Sequence, residues 1–273
     1  MSLFIDEHKC KRDGICVAEC PLGLIQMTTE GQVPCHIEEA QELCIKCGHC
    51  VAVCPNAALE LGDIKPQICP PVRKDLLLNP EHAEHFLRFR RSIRNYREKP
   101  VERDILRRLI EVASFAPSGH NRQPVHWLVL ENREELARIS GHVVDWMRTM
   151  IQDHPEIASP MHFDRVMSAW ERGQDRILRG APCLIVAHAA QAERAAQSSC
   201  TIALTYLELA ATAFGLGTCW AGYFNAAATL YPPLQETLQL PDGHLSFGAM
   251  MIGYQKYAYF RLPPRNQPKI EWR

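Results

Sequence analysis

Cys44, Cys47, Cys50 and Cys54, followed at once by Pro55, set out the spacing C-x2-C-x2-C-x3-C-P. Thiolates at these gaps wrap one short loop around a cubane of iron and sulfide, so the chemistry on offer is electron transfer. Cys10, Cys16, Cys20 and Pro21 repeat the frame upstream, with Asp13 where the second cysteine would stand. When two such loops share a chain, the fourth cysteine of each ligates the other cluster. Cluster A is therefore expected to take Cys10, Cys16 and Cys54 with Asp13 as candidate fourth ligand. Cluster B is expected to take Cys20, Cys44, Cys47 and Cys50, a complete thiolate set.

Asp13 offers a hard oxygen where iron in a sulfide cage prefers soft sulfur, so that corner holds its metal less tightly. Cluster A is accordingly expected as a [4Fe-4S] or a [3Fe-4S] centre, with the carboxylate or a hydroxide at the fourth iron. A solvated turn aspartate beside Gly14 is the alternative. Zinc is disfavoured, because its sites pair two C-x2-4-C arms rather than running three cysteines at successive two-residue gaps closed by Cys-Pro.

A second constellation lies downstream. Arg90, Arg91, Ser92 and Arg94 place three guanidinium groups and a hydroxyl within five residues, the donor set that a phosphate monoester requires. Pro117, Ser118, Asn121 and Gln123 follow in the run APSGHNRQP. The amides of Asn121 and Gln123 donate and accept at once, which suits a flat heterocycle with alternating N-H and C=O groups, such as a flavin pyrimidine. Alternatively, Ser118 and Asn121 cap the loop backbone.

The elements that position these groups divide the chain. Short strands are expected at Leu3 to Ile5, Ile25 to Met27 and Leu59 to Leu61, in a segment with so little apolar core that cluster binding must contribute much of its folding energy. Cys69-Pro70-Pro71 breaks regular structure. The expected domains are an iron-sulfur unit over 1–72, a linker over 73–85 and a second domain over 86–273. In the latter, Ile105, Leu106, Leu109, Ile110 and Ala113 form one helical stripe. VHWLVL at 125–130, PCLIVA at 182–187 and FGAMMIGY at 247–254 read as buried strands. Ser199 to Phe214 is apolar nearly all round, as for a helix covered on every side by sheet or by another subunit, and Gly215 ends it. The Pro-rich tail is expected to run extended over the surface or across a partner. The order of elements fits an α+β arrangement, and Gly215-Leu216-Gly217 ends a helix instead of opening a dinucleotide fingerprint.

Composition excludes several classes. The 273 residues carry a formal charge of −1 and no basic run interleaved with aromatics, so no nucleic-acid or anionic-membrane partner is expected. The start MSLFIDEHKC lacks a basic n-region and an apolar core, and a reducing cytoplasm is the expected location. Cys35, Cys69, Cys183, Cys200 and Cys219 lie outside the cluster frame and read as buried thiols. Between 141 and 179, Trp146, Met150, Met161, Phe163, Met167 and Trp170 suit either a cap over a substrate or ordinary helix packing.

RRSIR, APSGHNRQPVHWLVL, AFGLGTCWAGYF and MMIGYQKYAYFRLPPR, taken in order, resemble the nitroreductase family of FMN flavoproteins. Residues 1 to about 70 resemble a bacterial dicluster ferredoxin. The resemblance implies a three-layer nitroreductase-like α+β domain preceded by a small ferredoxin-like domain. It further implies a homodimer with FMN in interfacial pockets. By position, Arg90 is implied at the phosphate, Arg94 at the ring or ribityl side, and Arg91 and Ser92 beside them. Pro117, Ser118, Asn121 and Gln123 match the second flavin motif, with Asn121 favoured at the isoalloxazine edge. Trp220, Ala221 and Gly222 match the strip whose backbone amides approach flavin N5 and O4, and Lys256 with Arg261 or Arg265 completes phosphate binding.

The implied activity passes electrons from an external donor such as a ferredoxin through the clusters to FMN, and then to a nitroaromatic, quinone or activated alkene. The cofactor performs the bond chemistry, so no catalytic base is assigned. His120, His126, Tyr206 and Glu208 could donate protons, although each has an ordinary core or surface reading. Alternatives are an NAD(P)H-dependent flavin reductase with auxiliary clusters and a nonenzymatic electron carrier or redox sensor.

Overall fold

The computed structural model describes residues 3–29 and 31–273. By density of internal contacts the chain separates into two units, residues 3–78 with 120–122, and 79–119 with 123–273.

The first unit runs β1 (Leu3–Ile5), α1 (Ile15–Glu19), β2 (Ile25–Gln26), β3 (Cys35–His36), α2 (Ala40–Leu43), α3 (His49–Ala52) and β4 (Leu59–Leu61). β1 pairs antiparallel with β4, and β2 with β3. The pairing of Cys35 and His36 was not expected, since a two-residue strand leaves no alternation to read. Its core is small, with Ile25, Val51, Leu59 and Leu61 buried beside Cys16 and Cys50.

The two cluster loops repeat one another's backbone at an offset of 34 residues, as Cys10 and Cys44, Cys16 and Cys50, and Cys20 and Cys54 show. α1 and α3 both start from a left-handed glycine, Gly14 at φ 71° and Gly48 at φ 73°. Arg12 and Lys46 also share positive φ, as do Gly23 and Ala57. A non-glycine residue in that region is strained. Arg12 and Lys46 carry this strain at equivalent places, so it belongs to the conformation that the two loops share.

The second unit runs α4 (Pro80–Phe89), α5 (Arg103–Ala113), β5 (His126–Leu130), α6 (Arg133–Asp153), α7 (Pro155–Ala158), α8 (Phe163–Glu171), β6 (Cys183–Ala190), α9 (Ala196–Ala213), β7 (Gly217–Trp220), α10 (Gly222–Leu230), α11 (Pro232–Leu238) and β8 (His244–Gly253). Its sheet has the order β5-β6-β8-β7, antiparallel throughout. Alternate residues of the central strands serve opposite faces. Ile185, Ala187, Met250 and Ile252 pack with α5 and α9, whereas Leu184, Val186, Ala249 and Met251 pack with α6, α8, α10 and α11. The result is a three-layer helix-sheet-helix domain.

The three expected strands are present, and β7 is an addition. Its GTCW sequence is too short to announce itself, and it is held by β8 and by Ile93 N donating to Thr218 O at 2.7 Å. Gly217 is required there, because a Cβ at this position would fall 2.5 Å from Ile93 Cγ1. α9 buries Cys200, Leu204, Leu207 and Ala211 but leaves Ile202 and Tyr206 exposed, so within one chain it is covered on one side only.

Within 141–179, Trp146, Met150 and Phe163 are core residues, and Met167 and Trp170 pack against them. The packing reading accounts for these five, whereas Met161 is exposed. In the expected linker, residues 74–76 make one 3-10 turn, and Asn79 Oδ1 caps α4 by accepting from His82 N at 2.8 Å. Among the described residues no helix is long and apolar enough to cross a membrane.

Candidate functional site

The expected ligand sets sort into two cavities of the first unit. Cys20, Cys44, Cys47 and Cys50 line one, walled by Leu24 and Leu61. Cys10, Asp13, Cys16 and Cys54 line the other, walled by Ile5 and Leu59. Cys20 and Cys54 thus each face the loop of the other half. Leu24 N donates to Cys20 Sγ at 3.3 Å, and Ala58 N to Cys54 Sγ at 3.4 Å, again at equivalent positions. Such donors stabilise negative sulfur and help to set a cluster's potential. Sequence reading missed both donors, because a backbone amide carries no residue-type signal.

Electrostatics shows what these sites lack as a protein alone. Burial first, and then Cys47, Cys44 and Cys20, push the Cys50 thiol up to about 11, against the opposing Val51 amide. Burial, followed by Cys10 and Cys54, raises the Cys16 thiol. Thiols that hinder one another's ionisation become compatible around a cationic centre, which deprotonates its ligands outright. The donor set therefore fits iron-sulfur cages. One Asp13 oxygen accepts from Ile15 N at 3.2 Å while the residue lies on the cavity wall, so the turn reading and the ligand reading use the same side chain.

In the second unit, Arg90 Nη1 donates to Glu208 Oε1 at 2.9 Å, and the Glu208 side chain is only 6% exposed. The sequence hint was a lone acid in an otherwise apolar helix; a buried carboxylate requires a cationic or hydrogen-bonding partner. Arg91 Nη1 donates to Arg90 O at 2.9 Å. Among the described residues Arg91 Nε is a buried donor with no hydrogen-bond acceptor. Arg90, Arg91, Thr212, Thr218 and Gln255 share one cleft. A buried, orphaned guanidinium donor beside a second arginine fits an anionic oxygen. Arg94 Nη1 donates to Ser92 O at 3.3 Å, and Ser92 bridges Thr218 of β7. Lys256 joins this neighbourhood through its backbone, donating to Asn95 O at 3.0 Å. Arg261 and Arg265 lie exposed in the irregular tail.

The 116–124 segment is strained, with His120, Asn121 and Gln123 at φ 51°, 52° and 48°. Ser118 Oγ accepts from Gln123 N at 2.9 Å, so Ser118 does cap the loop. Pro117, Ser118 and Gln123 line an open groove bounded by α5, β5 and α9. Asn121 has partners within the protein. Residues 120–122 group with the first unit, where Asn121 Nδ2 donates to Ile45 O at 3.3 Å and Lys46 O at 2.9 Å. Of the later strip, Trp220 ends β7 and Ala221 N donates to Ala249 O at 2.9 Å. The Ala221 amide is therefore used by the sheet, and the amides without intrahelical acceptors begin with Gly222 at the start of α10.

Of the other candidate donors, His126 groups with His188 and His244. Tyr206 is exposed on α9, and Glu208 is committed to Arg90.

Comparison with known proteins identifies the family of each part of the chain. The family model described as Nitroreductase family matches residues 87–254, and that of the 4Fe-4S dicluster domain matches residues 8–59. An NADH dehydrogenase of Thermus thermophilus is 29% identical over 190 residues, 64% of this chain and 88% of the relative. Two crystal structures share the fold. A nitroreductase with bound FMN from Desulfitobacterium hafniense is 24% identical with a TM-score of 0.57, covering 72% of this chain and 99% of its own. A second, from Bacteroides fragilis and also with bound FMN, is 23% identical with a TM-score of 0.54, covering 70% and 96%. The chain belongs to the nitroreductase family of oxidoreductases, and a ferredoxin-type 4Fe-4S dicluster domain precedes its nitroreductase domain.

Proposed function

We propose that this protein is an FMN-dependent reductase whose two clusters relay electrons from an external low-potential donor, such as a ferredoxin, to flavin and on to an electrophilic small molecule. A nitroaromatic, quinone or activated alkene suits the acceptor role. The single observation that carries this reading is the presence, in one chain, of two cysteine-lined cavities and an arginine cleft with an orphaned buried donor. When bound, FMN accepts electrons singly and delivers them in pairs as a hydride. The protein's part is to bind, orient and shield. Arg90 would hold the phosphate together with Lys256 and Arg261 or Arg265, with Arg91 and Ser92 beside it and Arg94 at the ring or ribityl side. Pro117, Ser118 and Gln123 hold the ring side, with Trp220, Ala221 and Gly222 at its reactive edge. Asn121 orders the cluster B loop through Ile45 and Lys46. A second copy of the chain completes the flavin pocket and covers the exposed side of α9.

Anaerobic rapid mixing tests the donor. Reduced ferredoxin should bleach the flavin only after the clusters are reduced, with multiple turnover of a quinone. The similarity to an NADH dehydrogenase supports a second reading, in which NAD(P)H reduces the flavin directly. Prompt bleaching by NAD(P)H, with the clusters still oxidised, would select that reading over cluster entry.

The cluster A assignment has its own expected result. Asp13→Cys should raise iron in that cluster from between three and four to four per site, and remove any [3Fe-4S] signal from the magnetic spectrum of the oxidised protein. Identical iron content and spectra in the two proteins would show that Asp13 is not a ligand.

A further inference from the structure

β5, β6 and β8 each bring a histidine to the same end of the sheet. His126 opens β5 and pairs in register with His188 of β6, while His244 opens β8. The register shifts between Ala187 and His188, where β8 carries one extra residue, Phe247, between the partners Gly248 and Ser246. The three rings consequently meet, with centroids 5.4 Å apart for His126 and His188, 4.9 Å for His126 and His244, and 5.2 Å for His188 and His244. Nδ1 of His188 lies 3.0 Å from Nδ1 of His244.

These distances have a chemical meaning. Imidazoles bound to one ion through metal-nitrogen bonds of about 2.0–2.1 Å at tetrahedral angles place their ring centres about 5 Å apart and their donor atoms about 3.3 Å apart. All three centroid separations match the first figure, and the Nδ1 pair falls just inside the second. A shared proton explains the His188–His244 contact alone. Cross-strand register accounts for His126 beside His188, but neither explains why the exposed His126 ring sits 4.9 Å from His244, on a strand that does not pair with β5. His188 is buried, which favours the neutral, coordinating form.

We propose that His126, His188 and His244 form a zinc-type divalent metal site that ties three strands of the sheet together, with water completing the coordination. Among the described residues no three donors yet converge on one point. Capture therefore requires ring rotation about χ2, a soft torsion in histidine, and His126 is the ring with room to turn.

The test uses the full chain with its clusters intact. After incubation with zinc chloride and removal of excess metal, zinc, iron and acid-labile sulfide are measured on one sample. Wild type should retain about one zinc per chain, and H126A and H126N should each lose most of it at unchanged iron and sulfide. X-ray absorption at the zinc edge should show nitrogen ligands with imidazole scattering. Equal zinc in wild type and variants, no retained zinc in wild type, or sulfur in the zinc shell would each overturn the site. The last outcome would place the metal on cysteines instead.

Discussion

Cys47→Ala is expected to remove about half of the iron and sulfide from anaerobically purified protein, because Cys47 is one of four thiols around cluster B. Reduction of the flavin by a low-potential donor should fall at least about 100-fold, beyond the 10–100-fold that loss of an outer-shell partner costs at metal sites. Stability should change with it. The first unit has a small core in which Cys16 and Cys50 are themselves members, so cluster binding is a large share of its folding free energy. Limited proteolysis should cut within 1–78 while 123–273 survives. Cys35→Ala is the matched control, since Cys35 is exposed and lines neither cluster cavity, and it should keep full iron. Full iron and unchanged spectra in Cys47→Ala would end the cluster B assignment.

The spacing of the cysteines made the dicluster domain legible, because it follows from a short covalent motif, and the two cavities are lined by the same two groups of residues that the spacing suggests. The apolar runs read at 182–187 and 247–254 correspond to β6 and β8, which are buried on both faces of the sheet and extend to 183–190 and 244–253. β7 was not, since four residues beginning with glycine hold their place through Thr218 O, Ile93 N and β8, contacts distant in sequence. In the nitroreductase domain the family was legible from its motifs, but the protein partners of the motif residues were not. Arg90 reads as a phosphate ligand from its neighbours in the chain, yet its present partner is 118 residues away on α9. Asn121 likewise meets carbonyls 75 and 76 residues earlier. Hydrogen bonds of that span depend on tertiary placement, to which local spacing is blind. The histidine cluster escaped for the same reason: its members are separated by whole strands and carry no common motif.

Arg90→Ala should weaken FMN binding by about 10–150-fold, the equivalent of the roughly 1.5–3 kcal/mol carried by a hydrogen bond to a charged group. The simple variant has a second effect that must be separated from the first. Arg90 is the hydrogen-bonded cation of a carboxylate 6% exposed, and deleting it leaves Glu208 buried beside apolar Leu207 and Ala211, a loss of about 3–5 kcal/mol in comparable pairs. Arg90→Ala should therefore also melt at lower temperature. Combining it with Glu208→Gln removes the stranded charge, so the double variant should recover most of the melting temperature and none of the flavin affinity. Glu208→Gln alone should keep the fold and lose only part of the affinity, because Arg90 then keeps its charge and an amide oxygen to orient it but loses the stronger, charged acceptor. Equilibrium dialysis of FMN against the three variants, paired with thermal melts of the flavin-free proteins, distinguishes the two contributions. If the double variant bound FMN as tightly as wild type, Arg90 would be a structural partner of Glu208 only, and the phosphate would have to be sought at Arg91, whose Nε is a buried guanidinium donor that lacks an acceptor among the described residues.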